Sequence, residues 1–196
     1  MTDKKFGGER HIMTTEYLLD KEVDRILAAL MPQNRLIFEV ILHNGARISD
    51  VLQLRTEQLK PSFWYVEQKT GKRRRMGLPE PLLREIKAQS GKEWAFPGRD
   101  GKGHKTRQAV WADVKRAQRA FRLPQNVGPH SARKVYAVKL MERYGDIERV
   151  RRNLNHSAKS VTAIYAMADV LLEQKQARRG NARAKRLASQ PDEQVK

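Results

Sequence analysis

The sequence predicts a mainly α-helical chain carrying one small antiparallel β-hairpin, and three observations predict it. Apolar residues recur at helical spacing along most of the chain, as Val23, Ile26, Leu27 and Leu30 do. One run is rich in aromatic and β-branched residues: "FWYVEQ", then "KTGK", then "RRRMGLP". Such residues fit a pleated surface, and Gly71 permits a tight turn between two short strands. Other glycines and prolines fall between the helical stretches, at Pro97-Gly98, Gly101, Gly103, Pro124 and Gly128-Pro129.

Taken in order, residues 1–18 read as a mobile arm, with Gly7-Gly8 and scattered charges. A first helix is expected from Asp20 as its N-cap, with Glu22 in the first turn where a negative charge favours the helix dipole. "QNRLIFEVILH", 33–43, reads as a second, buried helix that stops near Asn44-Gly45. A third starts at Ile48 or Ser49 and runs to about Leu54. The hairpin follows, and then helices are expected over roughly 79–90, 105–122, 130–144, 146–153 and 158–173. Residues 173–196 are polar and basic without apolar periodicity, a tail that is disordered or docked on a partner. There is no internal repeat. The organisation is an arm (1–18), one domain (19–172) and a basic tail (173–196).

Composition narrows the function. A chain of 196 residues holds one domain with tails, and 39% hydrophobic residues suffice for one core. Forty Lys and Arg against 22 Asp and Glu leave a formal charge of +18, a field that attracts a polyanion: DNA, RNA or an acidic membrane surface. No stretch reaches the roughly eighteen apolar residues needed to span a bilayer. The opening "MTDKKFGGERHIMTTE" has no apolar core and carries acids, so it reads as neither secretory signal nor transit peptide. The absence of cysteine excludes disulfides and thiolate metal sites. The expected location is cytoplasmic, with the nucleic acid.

Four stretches carry chemistry. In "HNGARISDVLQLR", Arg47 stands after a Gly-Ala break at a helix mouth, where a guanidinium fork can hold a phosphate; a solvated surface arginine is the plain alternative. Asp50, one turn on, is either an acceptor that fixes the fork or a simple surface pair. The hairpin tip gathers Lys69, Lys72, Arg73, Arg74 and Arg75, five cations within seven residues, suited to a DNA backbone. A lysine at the start of such a turn could protonate a leaving oxygen, but this stretch alone does not argue catalysis; a solvated charge run or a patch like a nuclear localisation signal is the plain alternative. In "GPHSARKVYAVKL", His130 and Arg133 are three apart and share a helix face, either a proton-trading group beside a phosphate-binding arginine or a plain first helix turn with a satisfied histidine. In "LNHSAKSVTAIYA", Tyr165 follows His156 by nine residues and is either a core aromatic or a nucleophile. Tyr17, Tyr65, Tyr136 and Tyr144 are its rivals; Tyr65 reads as a strand residue, Tyr136 and Tyr144 as helix-packing residues. "GRDGKGHKT", 98–106, lacks the Gly-Lys-Ser/Thr ending of a phosphate loop and reads as a loop, with Lys105 and Arg107 opening a DNA-facing helix. His11, His43, His104, His130 and His156 show no metal-ligand spacing, and neither metal nor cofactor is expected.

In this order the motifs resemble the catalytic domain of the tyrosine recombinases, the phage integrase family, over about residues 19–170. "GARISDVLQLR" is similar to the segment holding that family's first catalytic arginine, which falls on Arg47. "YVEQKTGKRRRMGLP" resembles the hairpin of lambda integrase, one residue shorter, placing the catalytic lysine at Lys69 with Lys72 as the alternative. "HSARK" matches the family's His-x-x-Arg at His130 and Arg133, and the His-to-Tyr ending matches at His156 and Tyr165. Asn155 stands where the family usually has glycine. The resemblance implies a site-specific recombinase on double-stranded DNA: Tyr165 attacks a phosphodiester, giving a 3′-phosphotyrosine and a 5′-hydroxyl. Arg47, Arg133 and His156 would stabilise the charge, Lys69 would protonate the leaving oxygen, and His130 would assist proton transfer at the tyrosine. It also implies a homo-oligomer, four protomers on two DNA sites, encoded by a bacterium, a phage or a mobile genetic element. Integrases usually carry an N-terminal helical domain that completes a clamp on DNA. About eighteen residues precede this domain, so the expectation is a compact member, as the fimbrial inversion recombinases are, a truncated or relic form, or an accessory protein supplying the other half. Two alternatives stand beside it: a type IB topoisomerase-like nicking-closing enzyme, and a non-catalytic DNA-binding regulator that keeps the fold.

Overall fold

The computed structural model describes residues 16–154. His156, Tyr165, the helix expected over 158–173 and the basic tail lie outside the described residues. Seven helices and one hairpin follow in order among them: α1 (Asp20–Ala29), α2 (Pro32–Asn44), α3 (Ile48–Leu52), β1 (Ser62–Val66), β2 (Arg73–Gly77), α4 (Glu80–Gln89), α5 (Arg107–Ala120), α6 (Pro129–Tyr144) and α7 (Ile147–Leu154). The mainly α class with one small antiparallel sheet is therefore observed. A single 3₁₀ turn, Thr56–Gln58, precedes β1 and has no counterpart in the apolar periodicity.

Two N-terminal expectations are corrected. Residues 16–18 are docked rather than part of a mobile arm: Glu16 N–H donates to Asn126 O at 2.9 Å, and Leu18 is fully buried. The N-cap of α1 is Leu19, not Asp20, because the Glu22 carboxylate reaches back to accept the Leu19 N–H at 2.7 Å. Glu22 thereby supplies the acceptor that a capping side chain ordinarily provides.

The chain divides into two compact units at Tyr136/Ala137. In the first, α1, α2, α4 and α5 bury their apolar stripes around Ile26, Ile37, Phe38, Ile41, Leu83, Ile86, Phe96 and Val114. The corner between α1 and α2 is tied to α5 by Asp113. Its Oδ2 accepts the Met31 N–H at 2.9 Å and the Asn34 amide at 2.6 Å, and its Oδ1 accepts Arg116 Nε at 2.8 Å. Burial opposes ionisation of Asp113, but these donors outweigh it and lower its pKa. In the second unit, Ala137, Val138, Val150 and Leu154 are buried, and Asp146 Oδ1 accepts the N–H groups of Glu148 and Arg149 at 2.9 and 3.2 Å, capping α7.

The end of α2 is the joint that matters for the site. Gly45 closes the helix in the left-handed region (φ 59°, ψ 24°), donating its N–H to Ile41 O at 2.7 Å. The neighbouring Asn44 side chain acts as a strand partner for Gly77 at the end of β2. Its Nδ2 donates to Gly77 O at 2.9 Å, and its Oδ1 accepts Gly77 N–H at 2.9 Å. The Asn-Gly pair thus stops α2 and docks the hairpin onto it. Gly45→Ala forces a Cβ into left-handed backbone and should destabilise the fold by about 1–2 kcal/mol, read from the denaturation midpoint.

Across the hairpin, Ser62 pairs with Gly77, Phe63 with Met76, Trp64 with Arg75, Tyr65 with Arg74 and Val66 with Arg73. Strand alternation turns Tyr65 and Met76 inward while Trp64 and Val66 stay exposed. Arg73 and Arg75 lie on the outer face with them, the Arg73 guanidinium 5.5 Å from the Trp64 ring centre.

Candidate active site

The site is assembled around the Gly45 carbonyl. Because α2 ends there, its last carbonyls carry the negative end of the helix dipole and attract cations. Two guanidiniums answer. Arg133, from the second turn of α6, donates from Nη1 to Gly45 O. Arg74, from the inward face of β2, donates to Gly45 O at 3.4 Å and to Asn44 O. Two residues after Gly45, Arg47 stands as the N-cap of α3 with extended backbone (φ −75°, ψ 148°), so its side chain is delivered to the same place. Arg133 is only 5% exposed. Burial, first, and the like charges of Arg47 and Arg74 push its pKa down to about 10, so it remains a cation at neutral pH.

Glu67 anchors this cluster and was not singled out by sequence reasoning. It is fully buried. Its Oε2 accepts Arg47 Nη1 at 2.8 Å and the Thr70 hydroxyl at 2.8 Å, while its Oε1 accepts Arg74 Nη1 at 3.2 Å. The signal that could have found it is the period-two pattern: Tyr65 and Glu67 share the inward face of "FWYVEQ". Asp50, the acceptor considered for the Arg47 fork, meets the Arg47 backbone and charge instead, while the guanidinium goes to Glu67. It is 3% exposed and accepts the Gln68 N–H at 3.0 Å. Burial, first, and the neighbouring Glu67 raise its pKa, against the Gln68 N–H and Arg47.

Tyr65 is a rival phenol within reach of the charges of Arg74 and Arg133. Its hydroxyl is buried with no hydrogen-bond partner, and burial pushes its pKa up to about 12, against the attraction of Arg74. A phenol so held keeps its proton. It is poorly suited to attack.

His130 occupies the first turn of α6, with Arg133 one turn on. The residue is exposed at the surface yet partly desolvated. That partial desolvation, then the charges of Arg133, Arg107, Arg47 and Lys134, lower its pKa below the ordinary 6.5. It borders an open cleft of about 500 Å³ that is also lined by Ile48, Arg107, Gln108 and Trp111.

The remaining cations of the sequence reading divide into two groups. Lys69 and Lys72 are exposed in the turn after β1, Arg73 and Arg75 are exposed on β2, and Arg107 is exposed at the start of α5. Arg74 instead faces inward onto Glu67. Lys105 is half-buried and donates from Nζ to Gln33 Oε1 at 2.7 Å. Both cations are engaged within the fold, because their positions in the strand and before α5 turn them toward the core. Among the described residues, no three His, Cys, Asp or Glu side chains gather as a metal-holding group, and no helix is long and apolar enough to cross a membrane.

The arrangement is therefore a buried arginine from α6 and a partly buried one at the N-cap of α3, set by one carboxylate and one helix end, with an imidazole of lowered pKa beside them. Such a site can bind a phosphate diester and stabilise charge developing on it.

The model of the phage integrase family matches residues 16–170. The chain is 36% identical over 129 residues to a putative integrase/recombinase, y4qK, of Sinorhizobium fredii (strain NBRC 101917 / NGR234), covering 62% of this chain and 42% of that protein. It is 29% identical over 167 residues to a probable integrase/recombinase, YoeC, of Bacillus subtilis (strain 168), covering 81% of this chain and 92% of that one. The fold superposes on the crystal structure of XerA recombinase with a TM-score of 0.67 at 16% identity, over 87% of this chain and 66% of that one. The chain thus spans less than half the length of one of these relatives and nearly the whole of another.

Proposed function

The chain belongs to the phage integrase family of tyrosine recombinases, and from that premise we propose that it cuts and rejoins double-stranded DNA at specific sites through a 3′-phosphotyrosine. The observation that supports this most is the gathering of Arg47, held by Glu67, and Arg133, held by the end of α2, as neighbouring charges with His130 adjoining, in the first unit of the chain.

In this reading the Tyr165 oxygen forms a bond to phosphorus as the bond from phosphorus to the 5′ oxygen breaks. The tyrosine proton passes to His130, and Lys69 or Lys72 returns a proton to the leaving 5′ oxygen. Arg47 and Arg133 hold the non-bridging oxygens and gain strength as charge builds on them, with His156 as a further donor. The covalent ester conserves the bond energy, so a 5′-hydroxyl from another strand reverses the step. The charge of +18 and the exposed Arg73, Arg75, Lys72 and Arg107 supply sequence-independent grip on the phosphate backbone. Protomers act as a homo-oligomer, four on two DNA sites. Lys105 contributes to the fold through Gln33 rather than to DNA.

The test is a suicide substrate nicked near the cleavage point, taken from DNA flanking the gene. A covalent protein–DNA species is expected; salt-sensitive binding without that species on any substrate would favour a non-catalytic regulator. Relaxation of any supercoiled plasmid, without sequence requirement, would favour topoisomerase-like chemistry.

The lowered pKa of His130 carries a prediction with a definite sign. Folding depresses this pKa, so the neutral imidazole that can accept a proton dominates at pH 7 and is lost only as pH falls below 6.5. Single-turnover cleavage should be flat near neutrality and decline in acid. His130→Gln should lower the rate by about 10²–10⁴-fold and remove that acid limb.

A further inference from the structure

Resting on the DNA-cleavage reading, we propose that Glu67 is a positioning residue: it fixes the Arg47 guanidinium and ties the lysine-bearing turn to it, so that one buried carboxylate sets both groups against the same phosphate.

Three features carry this. Glu67 is fully buried, where an unpaired carboxylate would be costly, and two guanidiniums from different elements neutralise it. Its Oε2 is shared between Arg47 and the hydroxyl of Thr70, the residue after Lys69. Its backbone closes the same turn: Glu67 N–H donates to Lys72 O at 3.0 Å, and Gly71 N–H donates to Glu67 O at 2.8 Å. The six residues from Glu67 to Lys72, both candidate lysines included, are therefore referenced to Arg47 through one side chain. A guanidinium has five N–H donors in a rigid fork, so holding Arg47 by Nη1 orients it and leaves donors for a phosphate. Arg74 is the second counter-ion, anchored on Asn44 and Gly45, and keeps the carboxylate in place.

A positioning role differs in sign from a merely structural one. Removing the negative charge makes the site more positive, so DNA binding should hold or tighten while chemistry slows. For Glu67→Gln, the dissociation constant for the nicked substrate is expected to stay the same or fall, and the single-turnover cleavage rate to drop by about 10–100-fold. In an Arg47→Ala background the same substitution should cost no more than the roughly threefold loss expected from freeing the turn, because the guanidinium it positions is gone. Thr70→Ala, in an exposed turn where folding is not at stake, should give a smaller loss of about threefold at unchanged affinity. Proportional weakening of binding and cleavage by Glu67→Gln, or a full additional loss in the Arg47→Ala background, overturns the proposal.

A readout independent of activity separates this from the recombinase reading itself. In the DNA-free protein, nitrogen NMR of Arg47 should show restricted rotation of its guanidinium, and Glu67→Gln should release it. An unchanged Arg47 signal sinks the positioning role even if the enzyme cleaves. If wild type forms no covalent species but Arg47 is released as expected, the anchor stands and the chemistry assigned to the chain fails.

Discussion

Replacing Tyr165 with phenylalanine is expected to abolish the covalent protein–DNA species while leaving DNA affinity and its salt dependence unchanged. In the proposed reaction the phenol oxygen is the atom that bonds to phosphorus, so the loss should be on the order of 10⁴-fold or more in cleavage rate. Binding should survive, because the phosphate grip comes from arginines and lysines that the substitution does not touch. Tyr65→Phe supplies the matched control. The Tyr65 hydroxyl is buried without a hydrogen-bond partner and its pKa is raised to about 12, so its removal should leave the trapped species intact. The measurement is denaturing gel analysis of suicide-substrate reactions for wild type and both variants. Trapping by Tyr165→Phe together with its loss in Tyr65→Phe would reassign the nucleophile.

Arg133→Ala should lower both cleavage and stability. Its guanidinium is 5% exposed and bridges α6 to the end of α2 through Gly45 O. Removing one preorganised donor from a developing oxyanion costs about 10²–10³-fold in rate, and that is the expected fall in single-turnover cleavage. Stability should also drop by about 1–3 kcal/mol, since the Gly45 carbonyl loses a charged donor and is left with Arg74 at 3.4 Å. Arg133→Lys separates these contributions. A lysine keeps the charge, but it is a point donor that cannot fork between a carbonyl and a phosphate. It should restore part of the stability while cleavage remains at least about tenfold down. Wild-type cleavage by Arg133→Ala would remove this residue from the site.

Much of the architecture was legible locally. The apolar periodicity of α1 and α2, the aromatic and β-branched run of β1, and the Gly71 turn each express a preference spanning a few residues, and the hairpin and helices formed where those preferences lay. The Asn44-Gly45 stop was readable for the same reason, since a left-handed C-cap is a local property. The 3₁₀ turn at Thr56–Gln58 and the Leu19 cap were not, because they follow from the Arg55 N–H meeting Gln58 and the Leu19 N–H meeting Glu22, choices that periodicity does not encode.

The sequence by itself determined the helices, the hairpin, the strongly basic surface and the ordered set of candidate groups from Arg47 to Tyr165. Those depend on residue type and spacing alone. Only the tertiary structure decided what each charge faces. It gave Arg47 to Glu67, twenty residues away, rather than to Asp50 one turn away. It sent Arg74 inward while Arg73 and Arg75, its neighbours in a run of like residues, stayed outside. It set Arg133 on a carbonyl 88 residues upstream. The physical reason is that a buried charge must find its counter-charge or carbonyl among groups brought together by packing, and packing joins residues whose distance along the chain carries no signal of their contact.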